Sequence, residues 1–205
     1  MIIPAGPTEN RGGRGRGVFG TGYNNAPNSS LNSMQFVTIA TTGDTTDFGD
    51  LSNSSVGKGS FGSATRGFFA GGDSVPGQAD NKAIDFTIIS SSGGGNDFGD
   101  MTATKSYLGG MSNDIRGFFV GGATTPEYVK TTRIEYVTMA STGNGTPFGD
   151  LGIASMTYNG AAANNTRGLV ALGQAGPSPS QSRQIQFITL STFGDAQDFG
   201  EVTTL

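Results

Sequence analysis

The sequence predicts an all-β chain, one four-stranded unit copied four times, and three observations carry that expectation. An Arg-Gly pair recurs at Arg16, Arg66, Arg116 and Arg167, so successive starts lie 50, 50 and 51 residues apart. An apolar run opens at Met34, Ile84, Ile134 and Ile185, and a Phe-Gly pair at Phe48, Phe98, Phe148 and Phe199, with the same spacings. Glycine makes up 35 of 205 residues and falls between apolar blocks of strand length. Apolar blocks of that length, bounded by glycine, are the pattern of short strands and tight turns.

Each unit offers four strands. The first, around Val56–Ser63, Ser106–Ser112 and Met156–Ala163, is rich in Gly, Ala and Ser. Such small residues suit a place where strands of several units crowd together. The second spans Gly17–Gly22, Gly67–Gly72, Gly117–Gly122 and Gly168–Gly173, with centres Phe68-Phe69, Phe118-Phe119 and Leu169-Val170. A bulky centre between glycines reads as a short buried strand. The third, Met34–Ala40 and its copies, is β-branched and aromatic. Its polar members Gln35, Asp85, Glu135 and Gln186 alternate with apolar neighbours, which predicts a partly solvated face. Thr42-Gly43-Asp44 and its copies then predict a tight turn with glycine at positive φ. The fourth strand ends at Phe-Gly, where the ring is expected to fill the gap to the next unit and the glycine to let backbones approach.

Composition bounds the function. Twelve basic and sixteen acidic residues give a net charge of −4, which predicts no general attraction to nucleic acid. Cysteine and histidine are absent, so disulfides, thiolate chemistry and Ser-His-Asp or Cys-His catalysis are excluded. No apolar run reaches the roughly 18 residues that a membrane-spanning helix needs, and no membrane insertion is expected. Residues 1–13 read as an N-terminal arm without the pattern of a secretory signal. Their Arg11-Gly12-Gly13-Arg14 tract could touch RNA, but on an acidic chain it reads better as an unusual entry to the first repeat.

A unit of this kind has two apolar faces and buries them only by stacking on its neighbours. Four antiparallel strands every 50 residues or so is the period of kelch-type propeller blades. The expected architecture is therefore a β-propeller of four blades over residues 14–205, divided as 14–63, 64–113, 114–164 and 165–205. Either the arm or Val202–Leu205 is expected to add a closing strand, and a dimer forming a larger ring is the alternative.

Arg66-Gly67-Phe68-Phe69-Ala70-Gly71-Gly72, the Ile84-Asp85-Phe86 run and Asp97-Phe98-Gly99-Asp100-Met101 resemble the kelch-like repeats in structural proteins of tailed bacteriophages, particularly marine and cyanobacterial ones. The likeness covers residues 14–201. The kelch double glycine stands at Gly71-Gly72 and Gly121-Gly122 but is broken at Gly20-Thr21-Gly22 and Leu172-Gly173, and phenylalanine replaces the usual blade tryptophan. The resemblance implies a propeller carried on a virion, in a tail fibre, adhesin or decoration protein. It implies other virion proteins as partners and brings no catalytic residue or cofactor.

Other motifs read as structure. Asp-Phe-Gly recurs at Asp47, Asp97 and Asp198, whereas a kinase metal-binding triplet is needed once. Arg16, Arg66, Arg116 and Arg167 could line an anion channel, but the expected role is pairing with carboxylates such as Asp50, Asp100, Asp150 or Glu201. Asp44-Asp47-Asp50 and Asp195-Asp198-Glu201 have spacing that could hold calcium, but the third copy does not keep it, and no metal is expected. Gly93-Gly94-Gly95 reads as a loop, with no basic residue or helix after it to make a phosphate cradle.

The four units differ most between their second and third strands, where loops on a rigid scaffold commonly bind. These segments hold Tyr23, Asn24, Asn25, Gln78, Glu127, Tyr128, Lys130, Gln181 and Arg183, candidate contacts for a host-surface saccharide or protein. The expected function is a non-enzymatic virion structural or host-attachment module, homo-oligomeric and multivalent. A free carbohydrate-binding lectin is the first alternative. A glycan-cleaving enzyme is the second; it requires acidic residues that break the repeat symmetry inside a pocket.

Overall fold

A computed structural model describes residues 15–124, 128–153, 159–171, 173–175 and 181–203. The chain is all-β, built of small antiparallel sheets with no helix among the described residues. The first sheet is β1 (Arg16–Asn24), β2 (Ser29–Thr38) and β3 (Thr46–Asp50). The second unit runs β4 (Gly59–Gly62), β5 (Arg66–Ala70), a two-stranded lobe of β6 (Asp73–Ser74) and β7 (Ala79–Asp80), then β8 (Ala83–Ile88) and β9 (Asn96–Asp100). The third repeats it with β10 (Gly109–Ser112), β11 (Arg116–Val120), β12 (Ala123–Thr124), β13 (Val129–Lys130), β14 (Arg133–Thr138) and β15 (Thr146–Asp150). The fourth has β16 (Gly160–Ala163), β17 (Arg167–Ala171), β18 (Gln184–Thr189) and β19 (Gln197–Glu201). Units two, three and four thus each form a four-stranded meander. The first sheet has three strands, and the arm and residues 204–205 lie outside the described residues. Val202 and Thr203 follow β19 without joining a strand.

Neighbouring sheets stack, and the same residue positions meet at every junction. Val18, Met34, Phe48 and Leu51 of the first unit pack against Phe69 and Ile89 of the second. Phe68, Ile84, Phe98 and Met101 meet Phe119, Val137 and Met139. Phe118, Ile134, Phe148 and Leu151 meet Val170, Ile188 and Leu190. Each unit therefore has a forward face, which meets the next unit, and a rear face, which meets the one before. The alternation of β-strand side chains places Phe68 on one and Phe69 on the other.

A bulge aims the key ring. In each third–fourth strand pair the register skips one residue: Met34 pairs with Gly49 but Gln35 pairs with Asp47, which leaves Phe48 as the extra residue. The skip recurs at Phe98, at Phe148 and at Phe199. Bulges re-aim side chains, and this one turns the ring into the junction. Phe48 is 1% exposed. The following glycine is sterically required: a Cβ on Gly49 would lie 2.7 Å from the Gly93 carbonyl carbon, and one on Gly99 would lie 2.5 Å from the Gly143 oxygen.

Backbone hydrogen bonds cross each junction at the same positions. The Gly93 and Gly95 N–H groups donate to Phe48 and Asp50 carbonyls at 2.7 Å each, and Gly143 and Gly145 to Phe98 and Asp100 at 2.8 Å each. Gly194 and Ala196 donate to Phe148 and Asp150 at 3.3 and 2.8 Å. The open row of acceptors on the last strand of the first three units is thereby used by the next unit's loop, which blunts an otherwise exposed sheet edge.

Four expectations need correction. The polar residues of the third strand do not face solvent: Asp85, Glu135 and Gln186 are buried, and Gln35 alone is exposed. Burial is possible because each takes a backbone donor from the preceding unit, Ser52 at 3.2 Å, Thr102 at 2.8 Å and Gly152 at 2.7 Å. The repeated arginines do not pair with carboxylates. Arg16, Arg66 and Arg116 donate to the carbonyls of Ile89, Met139 and Leu190 in the next unit, while their guanidinium groups stack on Phe36, Phe86 and Tyr136. Arg167 stacks likewise on Phe187. The flat guanidinium can stack and donate at its edge at once. The carboxylates Asp100, Asp150 and Glu201 pair instead with Lys82, Arg133 and Arg183 of their own units.

The third concerns the turn after the third strand. Gly43, Gly93 and Gly194 do have positive φ, 159°, 158° and 150°. The link to the fourth strand is nevertheless a longer loop, from Thr38 to Thr46 in the first unit, and not a tight turn. The fourth is Phe199, which fills no gap: it is 53% exposed, since no described residue covers the forward face of the last unit.

Candidate functional site

The segments between the second and third strands are set by a pair of glycines with left-handed backbone. Gly71 and Gly72 have φ of 69° and 100°, and Gly121 and Gly122 of 64° and 103°. Side chains rarely adopt these angles, and a Cβ on Gly71 would also run into the Lys105 carbonyl. The chain turns off the sheet there and forms the β6–β7 and β12–β13 lobes. In the first unit Thr21 occupies the Gly71 position at φ 65°, and β1 and β2 shift register beside it.

The described candidate residues sit on these lobes or on the corresponding segments of the first and fourth units, and all but Lys130 are exposed. Tyr23 projects half-exposed, and its hydroxyl is held by the Asn28 side-chain oxygen. The Asn24 side-chain oxygen accepts from the Ala26 N–H, which shapes the turn, and Asn25 is exposed beside it. Gln78 and Tyr128 occupy matching turn positions, both left-handed at φ 49° and 51°, and both exposed. Tyr128 is 42% exposed, with its ring 6.0 Å from that of Tyr107. Lys130 is half-buried on β13. Gln181 pairs with Gln174 across the corresponding loop of the fourth unit. Arg183 is not a free loop cation: it donates to the Val202 and Thr203 carbonyls and approaches Glu201 at 3.9 Å. Glu127 lies outside the described residues.

A polar cleft of about 330 Å³ opens beside the second unit's lobe, lined by Asn53, Ser55, Ser74, Asp80, Asn81 and Lys82. Behind it, Asp73 and Asp80 face each other across β6–β7, and burial together with the Asp80 charge raises the Asp73 carboxyl above its ordinary range. Among the described residues no three His, Cys, Asp or Glu side chains are placed to hold a metal.

Two buried lysines escaped the sequence reading. Lys105 forms an ion pair with Glu135 inside the second junction. Burial pushes its ammonium down, and the Glu135 carboxylate opposes that. Lys58 donates to the Gly71 carbonyl at 2.9 Å, and burial lowers it to about 8 despite the nearby Asp85. The available signal was positional: Lys58 stands where the third unit has Leu108, and Lys105 where the second has Ser55. Both lysines brace the two-glycine turn or the junction, so their chemistry is architectural.

No protein-family model matches the chain, and no curated protein matches it at a significant level.

Proposed function

We propose that this chain is a non-enzymatic binding module: four kelch-like blades of a β-propeller arrangement whose lobes form the contact surface. The observation that carries the reading is where the copies differ. Junction residues match from unit to unit, whereas the segments between the second and third strands change their exposed side chains from Tyr23-Asn24-Asn25 to Gln78 to Tyr128. Exposed tyrosine and amide side chains on a braced loop offer flat apolar surface and paired hydrogen-bond groups, the chemistry that saccharides and protein surfaces take. The last-strand carboxylates Asp100, Asp150 and Glu201 recur with the repeat and pair with cations of their own units, which favours binding over hydrolysis.

The resemblance to phage repeats supports a module carried on a virion, as part of a tail fibre, adhesin or decoration protein attaching to a host surface. Weak contacts at each lobe would be multiplied by copies on the particle. The test is a Tyr128→Ala/Lys130→Ala double variant assayed for binding to host-surface glycans and whole cells. Binding is expected to fall at least tenfold while the melting temperature stays unchanged. Unaltered binding would remove this lobe from the contact surface.

A further inference from the structure

We infer that the chain assembles head to tail with a second copy of itself, the forward face of the fourth unit docking on the rear face of the first. The template is internal, because the same joint is made three times within one chain.

Among the described residues, nothing covers the two unmatched halves of that joint. On the fourth unit, Phe199 is 53% exposed and Leu169 and Val202 are part-exposed, although their counterparts Phe98, Phe68 and Met101 are buried. A Cβ on Gly200 would meet nothing, whereas Gly49, Gly99 and Gly149 are each pressed against the next unit's loop. On the first unit, Ile39 is 66% exposed, and Phe19 and Val37 are half-buried. Their counterparts Met139, Phe119 and Val137 are buried in the second junction.

The polar groups of the joint are also present without partners from another unit, although the Gln35 side-chain oxygen accepts from the Thr45 hydroxyl of its own unit at 2.6 Å. Gln35 is exposed where Asp85, Glu135 and Gln186 each accept a backbone N–H from the unit before. By repeat register its donor would be Thr203 of the other copy. The Asp100 and Asp150 N–H groups donate to Asn144 and Asp195 side chains of the following unit at 2.9 Å each. The matching pair across the new joint is Glu201 N–H with Asp44. Arg167, already stacked on Phe187, would donate to the Ile39 carbonyl as Arg116 does to Leu190. A joint made of two different faces is heterologous, so it either closes a ring of whole chains or continues as a filament.

The experiment uses the 205-residue chain and two single variants at exposed positions, Ile39→Asp on the rear face and Phe199→Asp on the forward face. Mass is read by analytical ultracentrifugation from 1 to about 100 µM, a range that brackets ordinary transient interfaces. The unsubstituted chain is expected to form multimers of whole copies, and each variant alone to stay monomeric, with association weakened at least tenfold. Mixing the two variants should restore one joint and stop at a 1:1 dimer, because each supplies the face the other lacks. Circular dichroism identical to the parent confirms that the variants fold. A monomeric parent at 100 µM, or an Ile39→Asp chain that self-associates as well as the parent, would overturn the inference.

Discussion

Phe98 and Phe199 occupy the same place in their units, yet one is buried and the other half-exposed. Both are the extra residue of a bulge, and both precede a glycine, with φ 143° at Gly99 and 142° at Gly200. Strand, bulge and backbone are therefore equivalent, and the difference in burial comes wholly from the neighbour. Each unit specifies its own hydrogen-bonded meander, but its core belongs to the joint. In a stacked repeat of this kind, stability is a sum of unit and interface terms. Substitutions at matched positions should separate the two.

The largest contrast is expected at the buried polar position of the third strand. Glu135→Leu removes the partner of Lys105 and the acceptor of the Thr102 N–H, leaving a buried cation unpaired. Loss of one partner of a buried pair costs about 3–5 kcal/mol. Gln35→Leu, at the same position on the exposed face, should change stability by about 0.5 kcal/mol or less. Urea unfolding of the two variants measures the contrast.

Next comes the first junction against the second, Lys58 where the other has Leu108. With its folded value lowered to about 8 from 10.5, Lys58 has released its proton between those pH values while the unfolded chain still holds one. Stability must then rise with pH across that window, and the penalty is fully present below it. Lys58→Leu is expected to raise stability near pH 7 by up to about 3 kcal/mol, and to flatten the rise between pH 8 and 10.5. Thermal melts at several pH values report both. A smaller effect distinguishes Thr21 from Gly71 and Gly121. A β-branched residue at φ 65° carries strain of about 1–3 kcal/mol, part of which glycine gives back as unfolded-state entropy. Thr21→Gly should therefore stabilise the first unit by about 1 kcal/mol.

How much of this was legible follows from what kind of information each feature needs. The period, the strands and the buried Phe48, Phe98 and Phe148 were readable because spacing and apolarity are local properties. The roles of Arg66 and Asp85 were not. An arginine and an aspartate each have several satisfactory partners, and only the packed junction decides that Arg66 meets the Met139 carbonyl and Asp85 the Ser52 N–H. Lys58 and Lys105 carry no local sign of burial, as charged residues are ordinarily exposed. The lobes were recognised as the variable segments, but their two-stranded form was hidden because strands of two residues, such as Asp73–Ser74, leave no periodicity to read.

The account rests on each unit burying its apolar sides only against its neighbours, and paired truncations test it most directly. Phe98→Ala and Phe199→Ala should be compared by urea unfolding in the Ile39→Asp background, where the chain is expected to be monomeric. The account predicts a loss of about 3–5 kcal/mol for Phe98→Ala, from lost burial and the cavity left behind, and about 1 kcal/mol or less for Phe199→Ala, which leaves no cavity. Equal losses at the two positions would contradict it.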